Sequence, residues 1–463
     1  MKIVMIASEV VPFAKTGGLA DVTGALPLAL EKQGHEVAVV MPGYKAVQYL
    51  KSPVVRSFSA GVSSAAIGKK SRIYFIDNDK LYGRDGLYGD KSGDYKDNLE
   101  RFSYFCRKAL ELLKEIGFQP DILHCHDWQA AIAPVYLKTL FAADDFFRNT
   151  RTVFTIHNIG YQGIFPKEQL PVTGLDWPVF NSEMLEYYGQ VNILKGGIVF
   201  SDVINTVSET YSKEIQTKEF GFGMEGVLGR RKDDLYGIIN GLDNSIWDPA
   251  ADKKIFENFS IKDLEGKKAD KAGLQKLCGL PVKAGEPLIG IVSRLAQQKG
   301  FDIISGAIDE ICRMGLQMVI LGTGDQKYHD IMQAAAGKYP KTVSLNLRFD
   351  DNLAHKIYAG SDIFLMPSNY EPCGLGQMIS LRYGTVPLVY KTGGLADTVN
   401  ENNGYVFDRY SSEELGKAVK KAVKDFKDRR RWRELMLRGM KCNFSWSAQS
   451  KKYVELYEKA KAK

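Results

Sequence analysis

The sequence predicts an α/β protein of two doubly wound domains, each with a parallel sheet covered by helices on both faces. With 463 residues the chain is too long for one ordinary hydrophobic core. Short apolar runs alternate with helical patterns in both halves of the chain. The heptapeptide K-T-G-G-L-A-D at residues 15–21 returns at residues 391–397. Each copy follows an apolar, strand-like run, which indicates two similar halves.

The first half contains seven short apolar or β-branched runs, each typical of a buried strand. Helical periodicity lies between them, for example at residues 98–116 and 129–140. Strands that alternate with helices form right-handed βαβ units, so we expect one parallel sheet. The predicted strands are residues 3–7, 36–40, 72–76, 121–125, 151–156, 202–207 and 235–239.

The sequence becomes polar and charged over residues 247–271, which indicates a linker followed by a helix. The alternation then resumes and predicts a second doubly wound domain. From residue 411 the pattern is helical, and the last helix carries Tyr453, Leu456 and Tyr457 on one face. The predicted strands of this half are residues 287–293, 317–321, 343–347, 362–366, 386–390 and 405–407.

Composition excludes several classes of partner and location. The net charge of +7 comes from 62 basic and 55 acidic residues, without a dense basic stripe, so nucleic-acid binding is not expected. The six cysteines are far apart and show no disulfide-framework spacing, which indicates a reducing compartment. The apolar run at the N-terminus is too short for a signal peptide, and no stretch approaches a membrane span. We therefore predict a cytoplasmic protein with no membrane partner.

The first heptapeptide lies where a strand turns into a helix. Its two glycines leave backbone N–H groups bare at the positive end of a helix dipole, and Lys15 adds a mobile charge. This combination suits a phosphate or another anion. A tight turn with an exposed lysine is the alternative interpretation.

The motif H-C-H-D-W at residues 124–128 follows a predicted strand, and its two histidines share one face of that strand. They could bind zinc with help from Asp127 and His157, but the spacing is not that of a zinc site. A sugar site is favoured, because Asp127, Trp128, His157 and Asn158 offer hydrogen-bonding and aromatic groups. Loop residues that cap helices are the remaining alternative.

In the second half, Arg294 and Lys299 place two cations at the edge of the predicted sheet, where they match a diphosphate. Solvated surface residues are the alternative. Glu371 comes immediately before the glycine-bearing helix start at residues 373–375. A carboxylate there can hold sugar hydroxyls or a developing cation, while the backbone N–H groups receive a negative leaving group.

Two further motifs lack the context that their usual function requires. The D-x-D of residues 77–79 runs into a turn-rich segment, so we interpret it as a surface turn. Residues 221–226 read G-x-G-x-x-G, but the polar segment before them is not a strand. We therefore do not predict a dinucleotide site.

These motifs together resemble the bacterial glycogen synthase and plant starch synthase family of retaining glucosyltransferases, over essentially the whole chain. The resemblance also includes T-I-H-N-I-G-Y-Q-G at residue 155, G-M-E-G at 223, N-G-L-D-x-x-I-W at 240, S-R-L-x-x-Q-K-G at 293 and E-P-C-G-L at 371. It implies the GT-B fold, in which two doubly wound Rossmann-like domains face a cleft and the last helix crosses back to the first domain. The implied acceptor domain is residues 1–243 completed by 447–463, and the nucleotide-sugar domain is residues 244–446.

The resemblance implies transfer of glucose from ADP-glucose to the non-reducing 4-hydroxyl of an α-1,4-glucan, with no metal cofactor. Catalytic roles would fall to Glu371, His157, Arg294, Lys299 and Lys15. The implied donor-binding residues are Lys15, Gly18, Arg294, Lys299, Phe349, Cys373, Gly374, Leu375 and Thr392, with Phe349 stacking on the base. The implied sugar and acceptor residues are Tyr88, Asp127, Trp128, Asn158 and Asn240.

Two rival functions stay open at this point. A GT-B transferase could use UDP-glucose or a small acceptor. A non-enzymatic carbohydrate- or nucleotide-binding regulator would require the loss of Glu371, Arg294 or Lys299, and all three residues are present.

Overall fold

A computed structural model describes residues 1–48 and 56–463. The chain forms two compact units. Unit 1 comprises Met1–Gly241 and Trp446–Lys463, and unit 2 comprises Leu242–Ser445. The assignment of unit 1 to the acceptor and of unit 2 to the nucleotide sugar stays a prediction.

Unit 1 is organised around a sheet that has nine strands within the described residues, in the order β14-β13-β9-β8-β1-β2-β5-β4-β3. Strands β3, β4 and β5 pair antiparallel, and the remaining neighbours pair parallel. Two small antiparallel sheets, β6-β7 and β10-β12-β11, lie outside it. The strands are β1 Lys2–Ile6, β2 Glu36–Pro42, β3 Arg56–Ser59, β4 Val62–Ala66, β5 Arg72–Ile76, β6 Gly89–Asp90, β7 Gly93–Asp94, β8 Ile122–His126, β9 Arg151–Ile156, β10 Ile164–Pro166, β11 Glu186–Tyr187, β12 Gln190–Asn192, β13 Val203–Thr206 and β14 Leu235–Gly237.

The helices of unit 1 cover the faces of this sheet. The last helix, α18, joins them: the Tyr457 hydroxyl lies 2.9 Å from Nδ1 of His124 on β8, and Gln33 donates to the Ser450 hydroxyl. The return of the last helix to the first unit is therefore confirmed. The helices are α1 Gly18–Lys32, α2 Lys45–Gln48, α3 Asp79–Tyr82, α4 Asn98–Glu115, α5 Asp127–Ala130, α6 Ile132–Lys138, α7 Ile193–Phe200, α8 Glu209–Glu214, α9 Glu225–Arg230 and α18 Trp446–Lys461.

Unit 2, which the structure describes throughout, has a parallel six-stranded sheet in the order β17-β16-β15-β18-β19-β20. This is the strand order of a Rossmann domain. The strands are β15 Leu288–Val292, β16 Gln317–Leu321, β17 Val343–Asn346, β18 Ile363–Met366, β19 Val386–Tyr390 and β20 Tyr405–Phe407. The helices are α10 Glu265–Leu277, α11 Phe301–Cys312, α12 Gln326–Lys338, α13 Asp351–Gly360, α14 Gly376–Arg382, α15 Gly393–Thr398, α16 Ser412–Asp425 and α17 Arg429–Lys441.

The cores explain why these segments fold as they do. Strands β1 and β15 are apolar runs buried on both faces, as expected for central strands of a parallel sheet. Helix α16 buries Leu415, Val419, Ala422 and Val423, which recur at helical spacing on one face against the unit 2 sheet. The predicted doubly wound α/β fold is confirmed.

Candidate active site

In both units several candidate residues follow the strands at which the strand order reverses. In unit 1 the chain winds outward from β1 to β2 on one side and pairs with β8 on the other. In unit 2 the same reversal lies between β15 and β18. Ligands of doubly wound domains bind outside the carboxyl ends of the strands at this point. We therefore expect the site at the segments that follow β1, β8, β15 and β18.

Glu9, in the loop after β1, holds the first heptapeptide in place. Its carboxylate accepts hydrogen bonds from the Thr16 hydroxyl (2.6 Å), the Thr16 backbone N–H (2.5 Å), the Gly17 N–H (3.2 Å) and the Tyr88 hydroxyl (2.6 Å). The side chain is buried, with 3% exposed. Burial and Glu9 both contribute to raising the pKa of Tyr88 well above its usual value, so that hydroxyl stays protonated as the donor. The sequence analysis missed Glu9.

The two heptapeptides have different surroundings. A Cβ at Gly17 or Gly18 would meet nothing within 4 Å, so neither glycine is required by packing. A Cβ at Gly393 or Gly394 would lie 1.9 Å from the Glu371 carbonyl oxygen or 2.0 Å from that of Cys373. The second copy is thus a packing surface for the Glu371 loop, whereas the first leaves open space beside a helix N-terminus.

Lys15 is half-exposed, and its Nζ lies 2.7 Å from Oδ1 of Asp21 in the same heptapeptide. An exposed pair of this kind contributes little to stability. The Lys15 side chain is therefore not fixed by the fold and is available to an anion.

The histidines of H-C-H-D-W enter the core of unit 1. His124 contacts the Thr155 hydroxyl (2.6 Å) and lies 4.0 Å from the ring of His126, while Nδ1 of His126 lies 3.1 Å from Nε2 of His157. Burial lowers the pKa of both His124 and His157 to about 3, so these rings are neutral at physiological pH.

Asp127 is the first residue of α5, directly after β8, and has a positive φ of 55°. Its Oδ1 accepts the His157 backbone N–H at 2.7 Å. Burial raises the pKa of Asp127 to about 7; the backbone N–H groups of His157 and Asn158 oppose this rise, and the charge of Glu9 adds to it. Asp127 and His157, which sequence analysis assigned to one sugar site, are therefore brought into direct contact.

The other predicted sugar residues of unit 1 have distinct environments. Trp128 is buried edge-on against Phe102 (5.0 Å between ring centroids), and a Cβ at Gly163 would lie 2.4 Å from its ring. Packing alone therefore explains why a tryptophan is found at position 128. The contact of Trp128 with a sugar stays a prediction. Asn158 accepts the Gly160 N–H through its side chain. Asn240 is buried, and its Oδ1 has no hydrogen-bond partner among the described residues.

In unit 2 the structure joins Lys299 to Glu371. Nζ of Lys299 lies 2.6 Å from Oε2 of Glu371, and the Ser368 hydroxyl donates to the same oxygen at 3.0 Å. The exposed fractions of the two charged side chains are 19% and 9%. A cation and a carboxylate therefore lie together at the carboxyl ends of β15 and β18.

Gln298 ties the two loops of this site to each other. Its backbone carbonyl accepts the Asn369 N–H (3.0 Å), and its side-chain amide donates to the Tyr370 carbonyl (3.2 Å). Arg294 is exposed and donates to Oε1 of Gln298 at 3.3 Å. Arg294, Lys299 and Glu371 are thus brought together around one glutamine that sequence analysis did not single out.

The loop from Glu371 to Leu375 precedes α14. Gln377 on that helix donates to the carbonyls of Cys373 and Gly374, both at 3.0 Å. Gly374 has φ of 71°, a conformation that favours glycine. Cys373 is buried, and Thr392, at the start of α15, is buried as well.

Phe349 lies apart from this cluster, in the loop between β17 and α13, and 92% of it is exposed. An aromatic side chain so exposed gains almost nothing from the fold. Within the described residues, no group of three or more His, Cys, Asp or Glu residues could hold a metal ion.

Comparison with known proteins identifies the family. The family model described as starch synthase catalytic domain matches residues 2–230, and that described as glycosyl transferases group 1 matches residues 279–435. The chain is 50% identical to a glycogen synthase of Geotalea uraniireducens, over 100% of this chain and 99% of that protein. The chain belongs to the glycogen synthase and starch synthase family.

Other members of the glycogen synthase and starch synthase family agree. Glycogen synthase 2 of Geobacter sulfurreducens is 48% identical over 99% of both chains. The solved catalytic domain of starch synthase IV from Arabidopsis thaliana, bound to ADP and acarbose, is 35% identical, with a TM-score of 0.89 over 100% of this chain and 99% of that one. The chain is a glycosyltransferase with the GT-B fold. Within the described residues, none of the helices has the length and apolar character needed to cross a membrane.

Proposed function

We propose that this chain transfers glucose from ADP-glucose to the non-reducing 4-hydroxyl of an α-1,4-glucan, with retention of anomeric configuration. The observation that carries the proposal is the Lys299–Glu371 pair beside Arg294 at the carboxyl ends of β15 and β18. A family member of 35% identity has been solved with ADP bound, which supports an adenine nucleotide as the donor's leaving group.

Cleavage of the bond from glucose to phosphate develops positive charge at C1 and negative charge on the departing diphosphate. Arg294 and Lys299 bind the diphosphate, and Lys15 contacts it beside the open Gly18. Each fixed donor of this kind is typically worth about 3 kcal/mol of barrier. These cations meet the charge, so we expect no metal requirement.

The remaining donor residues position the sugar and the base. Glu371 holds the transferred glucose, with the backbone of Cys373, Gly374 and Leu375 beside it. Phe349 stacks on the adenine, which would explain why an aromatic ring is left in solvent. Thr392, at the start of α15, lies beside the nucleotide.

The sugar side of the reaction uses unit 1. His157 presents a neutral imidazole, because its pKa is about 3. Asp127, Asn158 and Tyr88 supply hydrogen-bonding groups around the glucose and acceptor. Oδ1 of Asn240, which has no hydrogen-bond partner within the described part of the chain, is an acceptor for a sugar hydroxyl. Trp128 supports these sugar-binding residues by packing against Phe102 and Gly163.

Glucose incorporation tests the proposal. Purified protein is given radiolabelled ADP-glucose or UDP-glucose, with glycogen or maltooligosaccharides, and label in precipitated glucan is counted. We expect ADP-glucose to be the better donor and α-linked product to form without added metal. Faster incorporation from UDP-glucose, or product with a small sugar alone, would instead support the alternative transferase. Activity that EDTA abolishes and magnesium restores would contradict the metal-free mechanism.

A further inference from the structure

Two buried histidines of unit 1 share one hydrogen bond. His126 ends β8 opposite Thr155 on β9, and His157 follows two residues later, so the parallel pairing brings the two rings together. Nδ1 of His126 lies 3.1 Å from Nε2 of His157, so one nitrogen donates and the other accepts. We propose that His126 is a positioning residue, which donates its Nδ1–H to His157 and thereby fixes His157 in the tautomer protonated at Nδ1. This inference rests on the proposed function, because it concerns what His157 offers to the sugar.

Both rings are neutral, so each carries one N–H and one unprotonated nitrogen. His126 is fully buried, and 8% of His157 is exposed. Burial lowers the pKa of His126 well below its usual value, and the neighbouring His124 and His157 lower it further. Burial lowers the pKa of His157 to about 3. Two arrangements of the hydrogen bond are therefore left, one for each direction of donation.

The second nitrogen of His126 decides between these two arrangements. Nε2 of His126 is buried and has no hydrogen-bond partner within residues 1–48 and 56–463. If His157 donated, His126 would carry its proton on this Nε2, which would leave a buried N–H without an acceptor. Among backbone groups, buried N–H groups without a partner are rarer than acceptors without one. By the same reasoning the Nε2 of His126 is unprotonated, and the donation runs from His126 to His157.

His124 limits the rotation of the His126 ring, and its own tautomer is fixed from both sides. Thr155 donates its hydroxyl hydrogen to Oδ1 of Asn205 at 2.6 Å, so its oxygen accepts from Nε2 of His124, also at 2.6 Å. Nδ1 of His124 is then unprotonated and accepts the Tyr457 hydroxyl at 2.9 Å. The centroid of the His124 ring lies 4.0 Å from that of His126. A ring held in this way opposes the flip by which His126 would exchange its two nitrogens.

The outward nitrogen of His157 is therefore a hydrogen-bond donor. Which nitrogen of a histidine is protonated is set by the hydrogen bond that the other nitrogen makes. The two nitrogens of an imidazole point in diverging directions, so Nδ1 of His157 faces away from His126. Protonated at Nδ1, His157 offers an N–H to an oxygen of the sugar, whereas the opposite tautomer would offer only a lone pair. A neutral donor fixed before the substrate arrives holds that oxygen without reorganisation during the reaction.

Nitrogen magnetic resonance of the parent protein, with heavy nitrogen in its histidine rings, measures the tautomer directly. The protonated and the unprotonated nitrogen of a neutral imidazole have well-separated chemical shifts. The signals of His157 are assigned by their loss in His157→Gln. We expect His157 and His126 each to be protonated at Nδ1. Protonation of His157 at Nε2, or an equal mixture of its two tautomers, would overturn the proposal.

Two substitutions of His126 separate positioning from packing. His126→Leu keeps a buried apolar side chain but removes the donor, so His157 should populate both tautomers. We expect kcat to fall about tenfold, while the KM for ADP-glucose stays within about twofold of the parent. His126→Asn carries an amide N–H on the same Cγ as the lost Nδ1–H, so it should restore one tautomer and recover most of the lost kcat. A His126→Leu protein with the kcat of the parent would overturn the role of His126.

Tyr457→Phe provides the matched control. It removes the hydroxyl that donates to Nδ1 of His124 in the same buried cluster, but it leaves the bond from His126 to His157 intact. The melting temperature should fall, because a buried acceptor loses its donor, while the tautomer of His157 and the kcat stay those of the parent. If Tyr457→Phe lowered kcat as much as His126→Leu does, the cluster would act through packing alone, and the proposal would be wrong.

Failure of the proposed function has a different signature. The parent would then transfer no glucose from any nucleotide sugar, whereas the magnetic resonance experiment would still report the tautomer of His157. A single Nδ1-protonated tautomer in the parent that becomes a mixture in His126→Leu would support the donation from His126 in that case too.

Discussion

Removal of the Lys299 charge tests whether the candidate site contains a coupled, buried ion pair. In Lys299→Met the apolar stem stays similar, but the Glu371 carboxylate loses the cation 2.6 Å away. The Ser368 hydroxyl, at 3.0 Å, remains as a hydrogen-bond donor to the carboxylate. Because 9% of the Glu371 side chain is exposed, water cannot replace the lysine fully.

The expected cost follows from that burial. Breaking a buried pair by removing one partner typically costs about 3–5 kcal/mol, because a charge is left uncompensated. Lys299 is 19% exposed and Ser368 stays in place, so we expect the lower end, about 3 kcal/mol. For a unit of this size that corresponds to a fall in melting temperature of roughly 6–12 °C. Glu371→Gln in the same chain should recover about 2 kcal/mol, since no unpaired carboxylate remains.

The assay is thermal and urea unfolding of the parent, both single variants and the double variant, without nucleotide. Lys391→Met is the matched control, since Lys391 pairs with Asp408 at 3.1 Å while both side chains are more than half exposed. That variant should lose less than about 1 kcal/mol. A Lys299→Met protein that melts with the parent, or a double variant whose loss is the sum of the two single losses, would refute the coupling.

Three further predictions concern other parts of the two units. Glu9→Ala should lower turnover about tenfold, because it releases the first heptapeptide. Tyr88→Phe removes one of the four hydrogen bonds to Glu9 and should lower turnover about twofold. Equal losses of steady-state rate in the two variants would contradict the role of Glu9 in holding the first heptapeptide. The pKa of His124 and His157 is about 3 in the fold and 6.5 in the unfolded chain, so their contribution to stability is complete above pH 6.5 and declines below it, by about 2 kcal/mol each at pH 5. A melting temperature that does not fall between pH 7.5 and pH 5 would speak against these neutral, buried rings. Phe349→Ala should leave the melting temperature unchanged, because the ring is exposed. It should raise the KM for ADP-glucose about tenfold, because stacking on a base is worth roughly 1–3 kcal/mol. An unchanged KM would show that Phe349 is not part of the donor site.

Local patterns in the sequence were sufficient to predict the doubly wound α/β architecture, although not every strand. Runs such as residues 386–390 are apolar because central parallel strands are buried on both faces, and the observed strand Val386–Tyr390 has the predicted bounds. The strand predicted at residues 121–125 lies one residue further on, at Ile122–His126. The antiparallel strands β3 and β4 were missed, because they are short and serine-containing and lack a clear apolar alternation.

The sequence also predicted a position for the candidate site, because chemistry-bearing residues follow strands whose carboxyl ends share one edge of a sheet, and that assignment stays a prediction. What it could not supply was partners distant along the chain. Glu9 is far from Tyr88, and Lys299 is far from Glu371, so neither contact has a periodic signature. Such pairings depend on which strands are neighbours, and only the folded chain determines that.

The two identical heptapeptides show most clearly which features the sequence determines and which depend on the tertiary structure. The sequence determined that both would lie between a strand and a helix, since glycine spacing and the preceding apolar runs are local properties. Only the tertiary structure decided that Gly393 and Gly394 lie against the backbone of the Glu371 loop, while Gly17 and Gly18 face open space. The physical reason is that the absence of a Cβ permits close approach but does not specify what approaches. That is set by the neighbouring loop, which residues far away in the chain provide.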